Sequence, residues 1–264
     1  MQLKLLICIL CCSRDLHRVD TMKNLSKGFK TADFLVLMGS DRQLGPVLDQ
    51  KNHILYINCE DKYELLPKKM SLAYDYIYNN MDYDYVMKID TDTWVNFNNL
   101  KTVVTEMHRK KYDYVGGVAG GGVDRRWHFG KCTDPLLNQT EYSRPYNGDW
   151  CGGGFGYILS RRALKIITKK QNREYLESDL YEDKAIGDIL RKNGIIPQFE
   201  KRKRGGIYKS MQYSAELTSE HFNNNTVVYD IYEEHYPAVY QIIKGVPSST
   251  SPTVGTVDGK HFVG

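Results

Sequence analysis

Two aspartates stand two apart in Lys88-Ile89-Asp90-Thr91-Asp92-Thr93-Trp94-Val95-Asn96, just past a short apolar run. Open α/β sheets bind ligands at the carboxyl edge of their strands, and a carboxylate pair there can hold a hard divalent cation, which in turn holds a diphosphate. Asp and Thr equally favour a plain strand-end turn. A second segment, Trp150 to Ser160, carries the glycines Gly152, Gly153, Gly154 and Gly156. Such a run lets a backbone approach a ligand closely, or it is simply a loop. In Tyr181-Glu182-Asp183-Lys184, paired acids open a helical pattern. They either complement the positive helix terminus or supply a general base. The run Lys201-Arg202-Lys203-Arg204 reads as a solvated loop or an anion contact. His221 either completes a divalent-metal site or is structural. The chain lacks the phosphate-loop, Gly-x-Gly-x-x-Gly, nucleophile-elbow and His-Glu-x-x-His patterns.

The elements that must position these residues alternate. Leu3–Cys12, Asp33–Met38, His53–Asn58, Tyr85–Ile89, Tyr112–Val118, Gly156–Leu159, Ile195–Glu200 and Thr226–Tyr232 read as strands. Pro67 opens a helix whose face is Met70, Ala73, Tyr74, Ile77 and Met81. Leu100, Val103, Val104 and Met107 mark another helical face. Ser160 is the expected N-cap of a helix through Lys170, and Glu182–Asn193 forms one that stops at Gly194. Alternation of this kind predicts an α/β fold with a mainly parallel sheet.

Composition bounds the rest. The 264 residues are 41% hydrophobic and 26% charged, which excludes a disordered chain and a small disulfide scaffold. The net charge of +4 is too small to point to nucleic acid. The 20 tyrosines suit either strands or a sugar-binding surface. The run Leu3–Cys12 is too short for a membrane span and is followed by a poor cleavage context, so it reads as a buried first strand. Among the six cysteines, Cys132 and Cys151 could form a loop disulfide in an oxidising compartment. Sequons stand at Asn24, Asn138 and Asn224. Residues 246–264, rich in Ser, Thr, Pro and Gly, read as a tail behind a domain spanning 1–245.

The order of the motifs resembles the β-1,3-glycosyltransferases of family 31, which include β-1,3-galactosyltransferases and Fringe-like enzymes. That family's K-x-D-D-D-x-F-V-N stands here as Lys88 through Asn96, with Thr91 for the middle acid. Its D-x-Y-x-N-L-T-x-K is Asp61, Tyr63, Leu66 and Lys69, with Leu65 and Pro67 departing. Its glycine-rich G-G-G-Y-x-L-S corresponds to Gly152 through Ser160, and its E-D-V-x-x-G to Glu182, Asp183 and Gly187. The opening strand followed by His17 and Arg18 is also similar, with Lys23-Asn24-Leu25 where the family has Arg before Thr-Trp.

The resemblance implies a single-domain GT-A fold, a UDP-sugar donor, Mn²⁺ or Mg²⁺, and inversion at the anomeric carbon. Carried over, Asp92 binds the metal, Asp90 faces the ribose or uracil side of the donor and is a further metal candidate, and Asp183 is the catalytic base. His221 is the candidate late metal ligand. Ser13, Arg18, Asp61, Lys69, Lys88 and Thr91 fall near the donor nucleotide. Gly153 and Gly154 line the cleft between donor sugar and acceptor, and Trp150 and Glu182 are acceptor-side candidates. The expected partners are a UDP-sugar (galactose, N-acetylglucosamine or xylose) and a glycan acceptor, without nucleic acid. The family's usual amino-terminal anchor has no counterpart in this sequence, which reads as a cytoplasmic enzyme, including one encoded by a large virus. A retaining GT-A transferase and a nucleotide-sugar- or carbohydrate-binding protein without catalysis are the alternatives.

Overall fold

A computed structural model describes residues 3–19, 32–41, 45–95, 97–154, 156–198, 208–210 and 228–230. Its centre is β1 (Leu5–Cys11), a seven-residue run buried along almost its whole length. A strand apolar on both faces must sit inside a sheet covered on both sides. It does: β1 pairs in parallel with β2 (Asp33–Gly39) on one edge and with β5 (Tyr85–Asp90) on the other. Beyond β2 come the parallel β4 (Ile54–Ile57) and then the antiparallel β3 (Val47–Asp49). Beyond β5 come β10 (Tyr157–Ser160), antiparallel to it, and β7 (Tyr114–Gly116). The seven-stranded order is β3-β4-β2-β1-β5-β10-β7.

Helices cover both faces. On one side α1 (Leu66–Asn80), α3 (Arg161–Ile167), α4 (Lys170–Glu177) and α5 (Glu182–Lys192) enclose a core containing Leu6, Leu37, Leu55, Tyr74, Tyr157 and Ile186. On the other, α2 (Phe97–Lys110) packs Leu100, Val103, Val104 and Met107 against Ile7, Ile9, Val36 and Met87. Each such side chain, fully buried, contributes roughly 1.5–3 kcal/mol. The expected faces of both helices are therefore the observed ones. This is the expected α/β architecture, a mixed sheet of seven strands with helices on both faces.

Two small sheets flank the large one. β6 (Thr93–Val95) pairs with β12 (Val228–Asp230), which pairs with β11 (Tyr208–Ser210). β8 (Val118–Ala119) pairs with β9 (Trp150–Cys151).

The differences from the sequence reading are local. The strand expected at Tyr112–Val118 divides at Gly117 into β7 and β8. The helix expected to run to Lys170 ends at Ile167, capped at Thr168, and a second begins at Lys170. Ser160 does cap it, its hydroxyl accepting from Ala163 N at 3.1 Å. Within Ile195–Glu200 the described residues make one bridge, Gln198 to Val115. Cys132 and Cys151 are both free thiols, so no disulfide joins them. The tail and the run Lys201–Arg204 lie outside the described residues.

Candidate active site at the carboxyl edge of the sheet

The β1 register places Leu10 beside Asp90, so the ends of β1 and β5 finish together. Lys88 is the third-last residue of β5 and is almost wholly buried, a position that requires anionic neighbours. Its ammonium lies 2.7 Å from Asp90 Oδ1 and 3.4 Å from Glu182 Oε1, and it donates to the Gly153 carbonyl at 3.1 Å. The Lys88–Asp90 contact is an ion pair outside hydrogen-bond angles, leaving Asp90 Oδ1 buried without a hydrogen bond. One lysine thus joins strand β5, the glycine loop and the start of α5.

Asp183 sits in the first turn of α5 and keeps part of its surface exposed. Its Oδ2 accepts from the Gly153 N–H at 2.8 Å, and its Oδ1 accepts from its neighbour Lys184 N at 2.7 Å. Burial raises its pKa, while those two N–H groups, the Lys88 charge and the nearby Trp150 indole oppose the rise. The indole N–H itself makes no hydrogen bond of ordinary geometry. The net direction is upward, towards a stronger base.

Glu182 faces inward. Burial pushes its pKa up to about 7, against the opposing pull of Lys88. Tyr157 OH lies 3.3 Å from Glu182 Oε2 and 2.7 Å from Tyr74 OH, forming a buried hydroxyl chain from α1 to the site. Sequence reading did not find Tyr74 and Tyr157 as a pair. Tyr74 was read as helix core, and nothing local says that its hydroxyl meets one 83 residues away.

Space beside Gly153 is tight. A Cβ there would stand 3.2 Å from Lys88 Nζ and 3.3 Å from Glu182 Oε1. At Gly154 the nearest atom to such a carbon is Asp90 Oδ2 at 3.8 Å, so this exposed glycine borders the Asp90 carboxylate. Trp150 is buried, its Cβ pressed against Gly187 of α5. Trp150 and Glu182, expected on the acceptor side, therefore underlie the cleft.

The nucleotide-side candidates fall into two groups. Lys69 is buried and committed: its ammonium contacts Asp61 Oδ1 at 2.5 Å and the Cys11 carbonyl at 2.6 Å. Asp61 Oδ1 also accepts from Gly39 N at 2.9 Å. This pair ties the ends of β1 and β2 to the start of α1 as a brace. Ser13 is exposed in the turn after β1, and Arg18 lies 3.7 Å from Asp15. Thr91 is buried and Asp92 partly exposed, on the turn between β5 and β6. His221 lies outside the described residues.

A divalent cation would find oxygen donors on Asp90 and Asp92, which suit Mn²⁺ or Mg²⁺. Asp90 Oδ1 already faces the Lys88 ammonium at 2.7 Å, so Oδ2, on the Gly154 side, is the oxygen it would offer. Among the described residues there is no group of three His, Cys, Asp or Glu side chains placed to hold a metal.

The segment between β8 and β9 is tied to the residues just before α5. Buried His128 places Nδ1 2.7 Å from Tyr181 OH, and its Nε2 meets the carbonyls of Leu137 and Thr140 at 2.9 and 3.0 Å. Tyr142 stacks on Tyr181 with centroids 4.3 Å apart and donates to Asp179 Oδ1 at 2.6 Å. Arg144 pairs with the same carboxylate at 3.0 Å. Asn138 is a structural clasp as well as a sequon: Oδ1 accepts from Gly130 N at 2.9 Å and Nδ2 donates to Cys132 O at 2.7 Å.

The chain matches the profile of a family described as Galactosyltransferase over residues 24–200. It is 28% identical over 187 residues to "Beta-1,3-galactosyltransferase 1" of Mus musculus and to that of Homo sapiens. The match covers 66% of this chain and 54% of each of those proteins, so the chain spans about half the length of the curated relatives. Among solved structures, a putative glucose-1-phosphate thymidylyltransferase from Bacillus anthracis is 14% identical, with a TM-score of 0.39, over 74% of this chain and 86% of that one. The bifunctional IspDF from Campylobacter jejuni is 12% identical, also with a TM-score of 0.39, over 76% of this chain and 50% of its own.

Proposed function

This chain belongs to the Galactosyltransferase family, and from that premise we propose that it transfers a sugar from a UDP-sugar to a glycan hydroxyl, with inversion and with Asp183 as general base. The observation that carries the reading is the double anchoring of Asp183, by Gly153 N–H and Lys184 N–H, at the same strand edge as Asp90.

A sugar hydroxyl is a weak nucleophile at neutral pH. A carboxylate that takes its proton as the new bond forms contributes typically about 10²- to 10⁴-fold. Asp183 meets the requirements: it is fixed on a rigid helix, partly accessible, and its basicity is raised by burial. The two backbone N–H groups hold the carboxylate in one orientation while the proton moves. Lys88 keeps Asp90 in place and spaces it from Glu182. Asp90 and Asp92 would hold a divalent cation, which when bound stabilises the charge that develops on the departing diphosphate. One base and one charge-stabilised leaving group suffice for a single displacement, with no covalent nucleophile. The choice among galactose, N-acetylglucosamine and xylose belongs to this proposal as a class.

The test is UDP release from UDP-galactose, UDP-N-acetylglucosamine and UDP-xylose, with and without disaccharide acceptors, in Mn²⁺ and in EDTA. Release from one donor, lost in EDTA and in Asp183→Asn, is the expected result. Failure of UDP to bind in the presence of Mn²⁺, measured by calorimetry, overturns the reading.

A further inference from the structure

Trp127 is 59% exposed, although its neighbour His128 is completely buried. A single exposed apolar side chain is common, but this indole is held in place rather than loose on the surface. The pinning is specific. Trp127 N donates to Asp124 O at 3.1 Å, and His128 is held by Tyr181, the residue directly before Glu182 and Asp183. The indole is therefore positioned from the catalytic helix through one covalent step and one hydrogen bond.

A second path leads the same way. Lys131 Nζ lies 3.8 Å from the centroid of the Trp127 ring and 5.7 Å from that of Tyr63. The Tyr63 hydroxyl in turn feels the Asp183 charge, which together with burial raises its pKa. Lys131 is itself an exposed residue whose ammonium rests over the Trp127 ring. Glu64 fastens this group to the segment that follows, accepting from Thr133 N at 3.2 Å and from the Thr133 hydroxyl. Trp127, Lys131 and Tyr63 form a row of one exposed ring, one cation and one phenol.

That chemistry matches a sugar ring. The flat indole covers the C–H face of a pyranose, and an ammonium or phenol donates to ring hydroxyls. We propose that Trp127 and Lys131 form an acceptor subsite that holds the sugar residue next to the one being glycosylated, so that the acceptor is an oligosaccharide of at least two residues. This inference rests on the glycosyltransferase reading for the position of the reacting hydroxyl, but glycan binding at Trp127 can be measured without turnover.

The experiment titrates the full chain, with UDP present, with lactose, N,N′-diacetylchitobiose and xylobiose, and separately with the corresponding monosaccharides. Wild type, Trp127→Ala, Trp127→Phe and Lys131→Met are compared by calorimetry, and by acceptor KM and kcat where transfer occurs. The expected result is that one disaccharide binds more tightly than its monosaccharides. Trp127→Ala should weaken it about tenfold, an effect falling on acceptor KM, and Trp127→Phe should recover part of the loss. Because the side chain is exposed, its truncation should leave the fold intact, and an unchanged melting temperature checks this. Equal disaccharide affinity in wild type and Trp127→Ala overturns the inference, as does the absence of binding by any of the three. Disaccharide binding that needs Trp127, without UDP release from any donor, would sink the transferase reading and leave the subsite standing.

Discussion

The backbone N–H of Gly153 donates to Oδ2 of Asp183 at 2.8 Å. That contact locks the glycine loop, 30 residues upstream, to the start of α5, and it fixes the carboxylate proposed to take the acceptor's proton. Asp183→Asn retains an oxygen to accept from Gly153 or Lys184 and removes the base. Transfer should fall by about 10²- to 10⁴-fold while UDP affinity changes little, and the melting temperature should drop, because one of the two backbone N–H donors loses its acceptor to the amide NH₂. Steady-state rates, UDP calorimetry and thermal unfolding on the same preparation decide it; a variant that retains transfer refutes the base assignment.

Gly153→Ala tests whether this locking depends on space. The new methyl would stand 3.2 Å from Lys88 Nζ and 3.3 Å from Glu182 Oε1. Both are tight contacts in a buried cluster, so the ion pair must shift. Activity should drop more than stability. Gly187→Ala is the contrasting case, because its methyl would collide with Trp150 Cβ and no flexible side-chain end is there to yield. It should destabilise by about 1–3 kcal/mol or more. If Gly153→Ala were as active as wild type, close packing around Lys88 would not matter to catalysis.

These contrasts also show what the sequence reveals. Strands β1, β2, β4 and β5 are legible because continuous apolar runs have one solution, a covered parallel sheet. The faces of α1 and α2 follow from three- and four-residue spacing. Asp90, Gly153 and Asp183 stand in motifs whose order carries the family resemblance. Short strands are different: β3, β8 and β9 are two or three residues long. Their existence depends on a distant partner, such as Val118 meeting Cys151. Lys88 carries the same lesson at the site. A lysine in a strand reads as solvated, and only three-dimensional neighbours show it buried between Asp90 and Glu182. Trp127 was absorbed into an unread loop because exposure has no local signature.

Glu182 yields a pH prediction. Its folded pKa is raised to about 7 from an ordinary 4.5, chiefly by burial. Between those values the folded state holds a proton that the unfolded chain has released, so unfolding loses a proton and stability falls as pH rises. Its stabilising contribution is complete below about pH 4.5 and is lost as pH passes through about 7. Glu182→Gln, which cannot ionise, should remove that slope. Urea unfolding at a series of pH values should therefore show wild type losing stability relative to Glu182→Gln from about pH 4.5 to about pH 7. A difference that stays flat or grows in the opposite sense would mean that Lys88 holds Glu182 ionised.

Asn138 separates a sequon from a glycosylation site. Its amide nitrogen already donates to the Cys132 carbonyl at 2.7 Å, and its oxygen accepts from Gly130 N and Cys132 N at 2.9 and 3.2 Å. A glycan would replace one hydrogen of that nitrogen and force the side chain outward, opening the turn that carries Trp127 and His128. Losing a hydrogen-bond partner from a partly buried backbone group costs about 1–3 kcal/mol. Expression through a secretory pathway should thus leave Asn138 unmodified in folded protein, as read by peptide mass after glycosidase treatment in heavy-oxygen water. Asn138→Ala should lower the melting temperature and weaken disaccharide binding together, since the clasp supports the segment bearing the indole. Full occupancy of Asn138 by a glycan in folded protein of undiminished stability would show that the clasp is dispensable.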